Sequence, residues 1–363
     1  MKKTCNNVEA SQNPKNQPAL ATGNNQMGIP VYFMSQFTST EKNHHPEPTA
    51  IRGQDRRGFL KRLGAGALAA GLPWTASETA AASNKIIPPP QVSGPIPQVT
   101  IAGVTIPRMI VGSNPISGFS HQIHNMTLAY LDYFNQENTT LFLKHCEEAG
   151  LTLWLMQNED KTRAAIKARW AAGSKMRVYF LGRLDAQGKL SKDILEYKPA
   201  FYVHHGNVTD TLFKNGKQEL VHDFVKRVHD ELGIPAGVSA HNPDCIKYIE
   251  DKGWEVDLYQ CCLYYVTRPK DEIQAKLGGA PLGESFLDTD RDHMLKLVQE
   301  VKKPCIVFKI LGAGWHCNND SAVENAFRYT LERIKKTDAF LVGMWPKFKD
   351  EISQNVRLTQ KYG

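Results

Sequence analysis

Phe201-Tyr202-Val203-His204-His205-Gly206-Asn207 decides the reading of the chain. Aromatic and β-branched residues rise to two histidines and break at Gly-Asn, as expected of a buried parallel strand that ends in a functional loop. Similar apolar runs stand at Val178 to Arg183 before it, and at Ala236 to Asn242, Val256 to Tyr264 and Cys305 to Lys309 after it. Stretches with helical spacing separate them. Strands alternating with helices, with polar residues at the strands' C-terminal ends, imply an α/β fold of the (β/α)8 TIM-barrel class.

Working outward, Val99 to Ile106 reads as a hairpin turning at Ala102-Gly103, placed to plug a barrel floor. Met109 to Pro115, Leu151 to Met156, Val178 to Arg183, Phe201 to His205, Ala236 to Ala240, Leu258 to Tyr264, Ile306 to Ile310 and Ala339 to Val342 are the eight expected strands. Helices are expected over Thr139–Ala149, Asp160–Ala172, Glu219–Leu232, Pro243–Lys252, Asp290–Val301, Ala322–Lys335 and Phe348–Leu358. Gly150 and Gly253 follow two of them and Pro243 opens one, as helix ends favour. Leu277 to Glu284 is a Gly/Pro-rich insertion.

The 363 residues suffice for one large barrel with additions, and a 41% hydrophobic fraction supports a core. The net charge of +7 is unevenly spread. Residues 1–82 carry nine Lys and Arg against five Asp and Glu; the remainder carries 35 against 32, too balanced a surface for nucleic acid. The seven cysteines form no CxxC pair and no zinc-finger spacing, and read mostly as small buried hydrophobes.

Residues 1–54 are polar and lack an apolar period, the composition of a disordered extension. Asp55-Arg56-Arg57-Gly58-Phe59-Leu60-Lys61, then a weakly apolar run to Leu72 and Ala80-Ala81-Ala82, has the layout of an export leader over 55–82. It resembles the twin-arginine (Tat) signal, departing at Asp55. The run is shorter than the roughly 20 residues of a membrane span. The resemblance implies engagement of the Tat translocase and a periplasmic or exported location, with translation expected to start at Met34 or Met27. Residues 83–97 read as a proline-rich linker outside the core, and 98–363 as the barrel.

A floor hairpin followed by eight strand-helix units is similar to the aldo/keto reductase superfamily over about residues 98–360. The pieces that carry the likeness are Val99 to Gly112; Gly237-Val238-Ser239-Ala240-His241-Asn242; Asp257-Leu258-Tyr259-Gln260 with Tyr264; and Phe340 to Met344 with Glu351 and Asn355. The resemblance implies carbonyl reduction, with NADP(H) held tightly over Ser239, Asn242, Gln260, Tyr264 and Gly343. The family's Tyr acid, tuned by Lys and Asp, is largely replaced. Leu155 stands at the Asp position, Asp160 near the Tyr, Arg183 at the Lys, and His205 (or His204) at the His.

Strand alternation puts Val203 with His205, Ser239 with His241, and Gln260 with Cys262 and Tyr264 on shared faces. The expected mouth adds Asn114, Gln157, Asp160, Arg183, Asp185, Asn207, Lys309 and Lys347, with Trp154, Trp315 and Trp345 as core or sugar-stacking residues. His205, Arg183, Asp160 and Lys309 are the catalytic candidates. Bland alternatives are a core His205, a capping role around His241 and Asn242, and a structural ion pair for Arg183. Cys262 reads as a buried hydrophobe. Three functions follow as expectations. One is a reductase on a carbonyl or sugar-type small molecule. The second is a hydrolase, isomerase or lyase on a carbohydrate, using a divalent metal on His205 and His241. The third is a non-catalytic binding barrel.

Overall fold

The computed structural model describes residues 89–363. The expected extension, leader and first residues of the linker lie outside that range. Eight parallel strands close into a barrel in sequence order, β3 (Met109–Val111), β4 (Leu153–Leu155), β5 (Arg177–Gly182), β6 (Tyr202–His204), β7 (Ala236–Ala240), β8 (Leu258–Cys262), β9 (Cys305–Phe308) and β10 (Ala339–Val342), with β10 pairing back to β3. Ahead of them β1 (Gln98–Ile101) and β2 (Val104–Pro107) form the hairpin, Ile101 facing Val104 in register. Ala102 and Gly103 both have positive φ, 48° and 76°, the two-residue turn whose twist suits a hairpin.

Alternation sorts the strand residues into two cores. Ile110, Leu155, Tyr179, Val203, Leu258, Ile306 and Leu341 fill the lumen, and Val99, Ile101 and Ile106 of the hairpin join them from below. The other face of each strand packs under the helices: α1 (His124–Tyr133), α2 (Gln136–Glu148), α3 (Asp160–Ala171), α4 (Gly206–Lys214), α5 (Glu219–Arg227), α6 (Pro243–Lys252), α7 (Lys270–Leu277), α8 (Asp288–Glu300), α9 (Asp320–Leu331) and α10 (Glu351–Tyr362). No described helix is long and apolar enough to cross a membrane. Of the six described cysteines, all unpaired, five are buried and Cys317 is exposed.

Three helices were not expected: α1, α4 and α7. Gly206-Asn207, read as a loop, instead opens α4 with the backbone of His205 as its N-cap. The linker also belongs to the fold further back than its composition implies. Ile96 is buried in the outer core, the Gln91 amide donates to Ser353 Oγ (2.9 Å), and Gln360 Nε2 donates to the carbonyl of Ser93 (2.9 Å).

The seam between the first and last strands depends on two glycines. The Gly112 amide donates to the Val342 carbonyl at 2.8 Å, and a Cβ on Gly112 would stand 2.8 Å from the Gly343 nitrogen. A Cβ on Gly343 would meet Pro115 Cδ at the same 2.8 Å. The backbones can approach this closely only without side chains.

Candidate active site

A cavity of about 550 Å³ opens at the C-terminal ends of the strands, above the apolar lumen. This is the end at which barrel enzymes place their chemistry. Its base is Leu155, Leu181, Leu341, Ser239 and Gln260; its wall includes Asn114, Gln157, His205, Asn207, His241 and Lys309, with Tyr130, Trp345 and the two seam glycines on one side.

The two histidines of the opening motif part ways, as strand alternation requires. His204 turns outward, 1% exposed, with its ring edge-on to Phe224 and its Nδ1 sharing a hydrogen bond with the Thr209 hydroxyl at 2.7 Å. Burial, then His205 and Arg183, push its pKa down to about 3, so it is a neutral core residue. His205 follows Val203 into the mouth and lines the cavity, its Nδ1 buried without a partner. Burial first, then His241 and Arg183, lower its pKa.

His241 has a carboxylate behind it. Its Nδ1 donates to Asp210 Oδ2 at 2.8 Å, which leaves Nε2 as the free nitrogen of a residue on the cavity wall. The tautomer follows from this bond. Asp210 is 8% exposed and also accepts from the amides of His241 and Asn242 (3.2 Å each) and the Thr267 hydroxyl (2.8 Å). A carboxylate so held orients the imidazole and stabilises its protonated form. Gly206 makes room for the pair, since a Cβ there would stand 3.0 Å from His241 Cε1 and 3.1 Å from Ser239 Oγ.

Lys309 follows β9 with φ +61°, in the left-handed region that a long side chain rarely adopts. Its Nζ is shielded from solvent and has no hydrogen-bond partner; the nearest aromatic face is Phe286, at 6.0 Å from Nζ. Burial pushes the ammonium pKa down, opposed in part by Cys262 and Glu284. Eleven buried side-chain N or O atoms lack partners among the described residues, and five of them belong to residues on this one cavity: Ser113, His205, Ser239, Lys309 and Trp345. Buried polar groups are normally satisfied, so this concentration around one cavity is a feature that the packing of the fold does not explain.

Two loops meet across the opening. His121, at φ +56°, accepts from Asn114 Nδ2 through Nε2 (2.9 Å) and donates through Nδ1 to Glu284 (3.0 Å), in the insertion that follows α7. Gln122 Nε2 donates to the Ala313 carbonyl at 2.6 Å.

Several expected residues lie elsewhere. Asp160 opens α3 with its carboxylate fully exposed and paired with Arg163, so it is not a catalytic group of this cavity. Arg183 is exposed and does not line it. The Asp185 carboxylate accepts from the amides of Gln187 and Lys189 (2.9 and 2.8 Å), and Lys347 faces Asp132 at 3.7 Å. Trp154 is core, Trp315 is exposed, and Trp345 alone of the three lines the cavity. Cys262 is fully buried off the cavity, its thiol pKa pushed up to about 12 by burial.

The residues expected to hold NADP(H) divide. Ser239, Gln260 and Gly343 line the cavity. Asn242 instead caps α6, its Oδ1 accepting from the Asp244 amide at 3.0 Å. Tyr264 lies beneath Phe286 with its hydroxyl on His316 Nε2 at 2.8 Å, away from the cavity. Gln260 Oε1 already accepts from Tyr179 (2.9 Å). Asn242 and Tyr264 are thus engaged in the fold, while Ser239, Gln260 and Gly343 remain on the cavity. No three His, Cys, Asp or Glu converge on one point among the described residues, so His205 and His241 fall short of the three protein ligands of a zinc site.

Periodicity gives no sign of Asp210, because it lies on α4, between the Gly206-Asn207 break and the helix expected from Glu219. A signal was available: it falls five residues after His205, on the first turns of a helix that enters from the mouth.

No known protein-family model matches the chain, and no curated protein matches it. Similar solved structures include Gox0644 in its apo form, at 9% identity over 73% of this chain and 88% of that one, TM-score 0.44. An aldo/keto reductase from Brucella melitensis is 14% identical over 72% and 93%, TM-score 0.39. The dihydropteroate synthase of Xanthomonas albilineans, solved with 4-aminobenzoic acid, is 10% identical over 74% and 97%, TM-score 0.37. Likeness this distant assigns no chemistry to the chain.

Proposed function

We propose that this chain is an enzyme that binds a small polyhydroxylated aldehyde or ketone in the barrel mouth and moves a proton at the carbon beside its carbonyl, as an isomerase or lyase. The observation that carries the reading is the Asp210–His241 pair, buried except for the imidazole edge on a cavity where five other residues hold unpartnered polar atoms. His241 Nε2 takes the proton, and Asp210 stabilises the resulting imidazolium. Neutral His205 and the Ser239 hydroxyl bind hydroxyl or carbonyl oxygens, and Asn114, Gln157 and Asn207 supply the amide contacts a polyol requires. A cavity of about 550 Å³ is of the size that holds a small molecule. Export through the Tat route, implied by Arg56-Arg57, would place this activity outside the cytoplasm.

The test is proton exchange. Incubated in D2O with a panel of aldoses and ketoses, the protein should exchange the hydrogen beside the carbonyl of at least one, followed by proton NMR. Exchange should be lost in His241→Gln and in Asp210→Asn. If the protein matured in its source instead carries a nicotinamide seen by absorbance at about 340 nm, with no exchange on any sugar, the reductase reading replaces this one.

A further inference from the structure

One group on the cavity has no part in that proton transfer. Lys309 holds an amine with no solvent contact and no hydrogen bond, on a backbone at φ +61°. A lysine amine buried without an anion is costly to keep, and a non-glycine residue in the left-handed region adds strain; both features cluster at functional positions. The residue borders the cavity, and its four-carbon stem is flexible enough for Nζ to turn toward that space. Phe286 lies over the amine at 6.0 Å and shields it from water.

We propose that Lys309 forms a covalent Schiff base with the carbonyl carbon of the substrate, which is therefore an aldehyde or ketone and not an ester, amide or glycoside. The assignment rests on the reading of the site given above. In the step, the Nζ lone pair attacks the carbonyl carbon and a C–N bond forms while the C–O π pair moves to oxygen. One proton passes from nitrogen to oxygen, a second arrives from a general acid, and the oxygen leaves as water. The product is an iminium carrying one positive charge, an electron sink that makes the neighbouring C–H acidic enough for His241 to deprotonate. Burial lowers the pKa of the ammonium and so raises the fraction present as the nucleophilic free amine near neutrality.

The experiment uses limiting glycolaldehyde with cyanoborohydride at about pH 7, where exposed lysines are protonated. Reduction fixes any iminium as a secondary amine, adding the mass of the aldehyde less one oxygen. Peptide mapping should find severalfold more adduct on Lys309 than on Lys296, whose side chain is 79% exposed, because burial leaves more of the Lys309 amine unprotonated. Lys309→Met, checked for folding by circular dichroism, should lose that adduct alone. Labelling of Lys309 no greater than that of Lys296 overturns the inference. If the deuterium exchange persists in Lys309→Met, the covalent step is refuted and the acid–base reading stands. Labelling without exchange upholds the lysine and removes only that reading; if neither occurs, both fall.

Discussion

At the scale of single residues, the adjacent histidines give opposite predictions. His205→Ala should abolish activity with circular dichroism and thermal midpoint little changed, because its ring lines the cavity and its buried Nδ1 makes no bond in the fold. Cys262→Ala should leave activity nearly intact, since the thiol is buried off the cavity. His204 acts on stability. Its pKa is about 3 in the fold, against about 6.5 for an unperturbed imidazole. Above the unfolded value both states are neutral and nothing is gained. As pH falls below it, the unfolded chain takes up a proton that the folded chain refuses. Stability should therefore drop with a slope approaching about 1.4 kcal/mol per pH unit until the folded pKa is reached. His204→Phe should flatten that slope in acid unfolding titrations; an unchanged slope would show that the ring is not the cause. Lys309→Met should raise stability by about 1–3 kcal/mol, read from urea unfolding, as an unpaired buried polar group is removed.

At the scale of elements, α4 binds the strand ends together. It presents Asp210 to His241 and begins at a glycine whose missing side chain admits the imidazole. Gly206→Ala should cut activity at least tenfold by displacing His241, at a stability cost of about 1–3 kcal/mol for overpacking. Unchanged activity would show that the ring shifts freely. The same element shows where sequence reading stops. β7, α6 and β10 were legible to the residue, because alternation, Pro243 at the helix start and Gly253 after its end are local signals. The start of α4 was not, because Gly206-Asn207 obeys a tertiary demand, room for the ring of His241, against local propensity. Among site residues, Ser239 and Gln260 on strands, and His205 and His241 one residue past strand ends, lie on the faces that alternation assigns them. Asn242 and Tyr264 did not, since cap geometry and the partner His316 decide what their polar atoms do. Asp160 was misplaced because the loop before α3 sets which way its first turn faces.

At the scale of the molecule, the hairpin closes the barrel from below. Ile101→Ala should cost about 2–5 kcal/mol, measured by urea unfolding, because Ile101 is fully buried at the junction of hairpin and lumen. Val99, Ile101 and Ile106 fill the base beneath the lumen, so the cavity is reached from the C-terminal ends of the strands and reactant and product share that side. At that side His121, on the cavity wall, is tied to Glu284 of the insertion after α7. Substrate and product therefore pass the same polar rim, and a change of charge at His121 or Glu284 is expected to act on both passages at once.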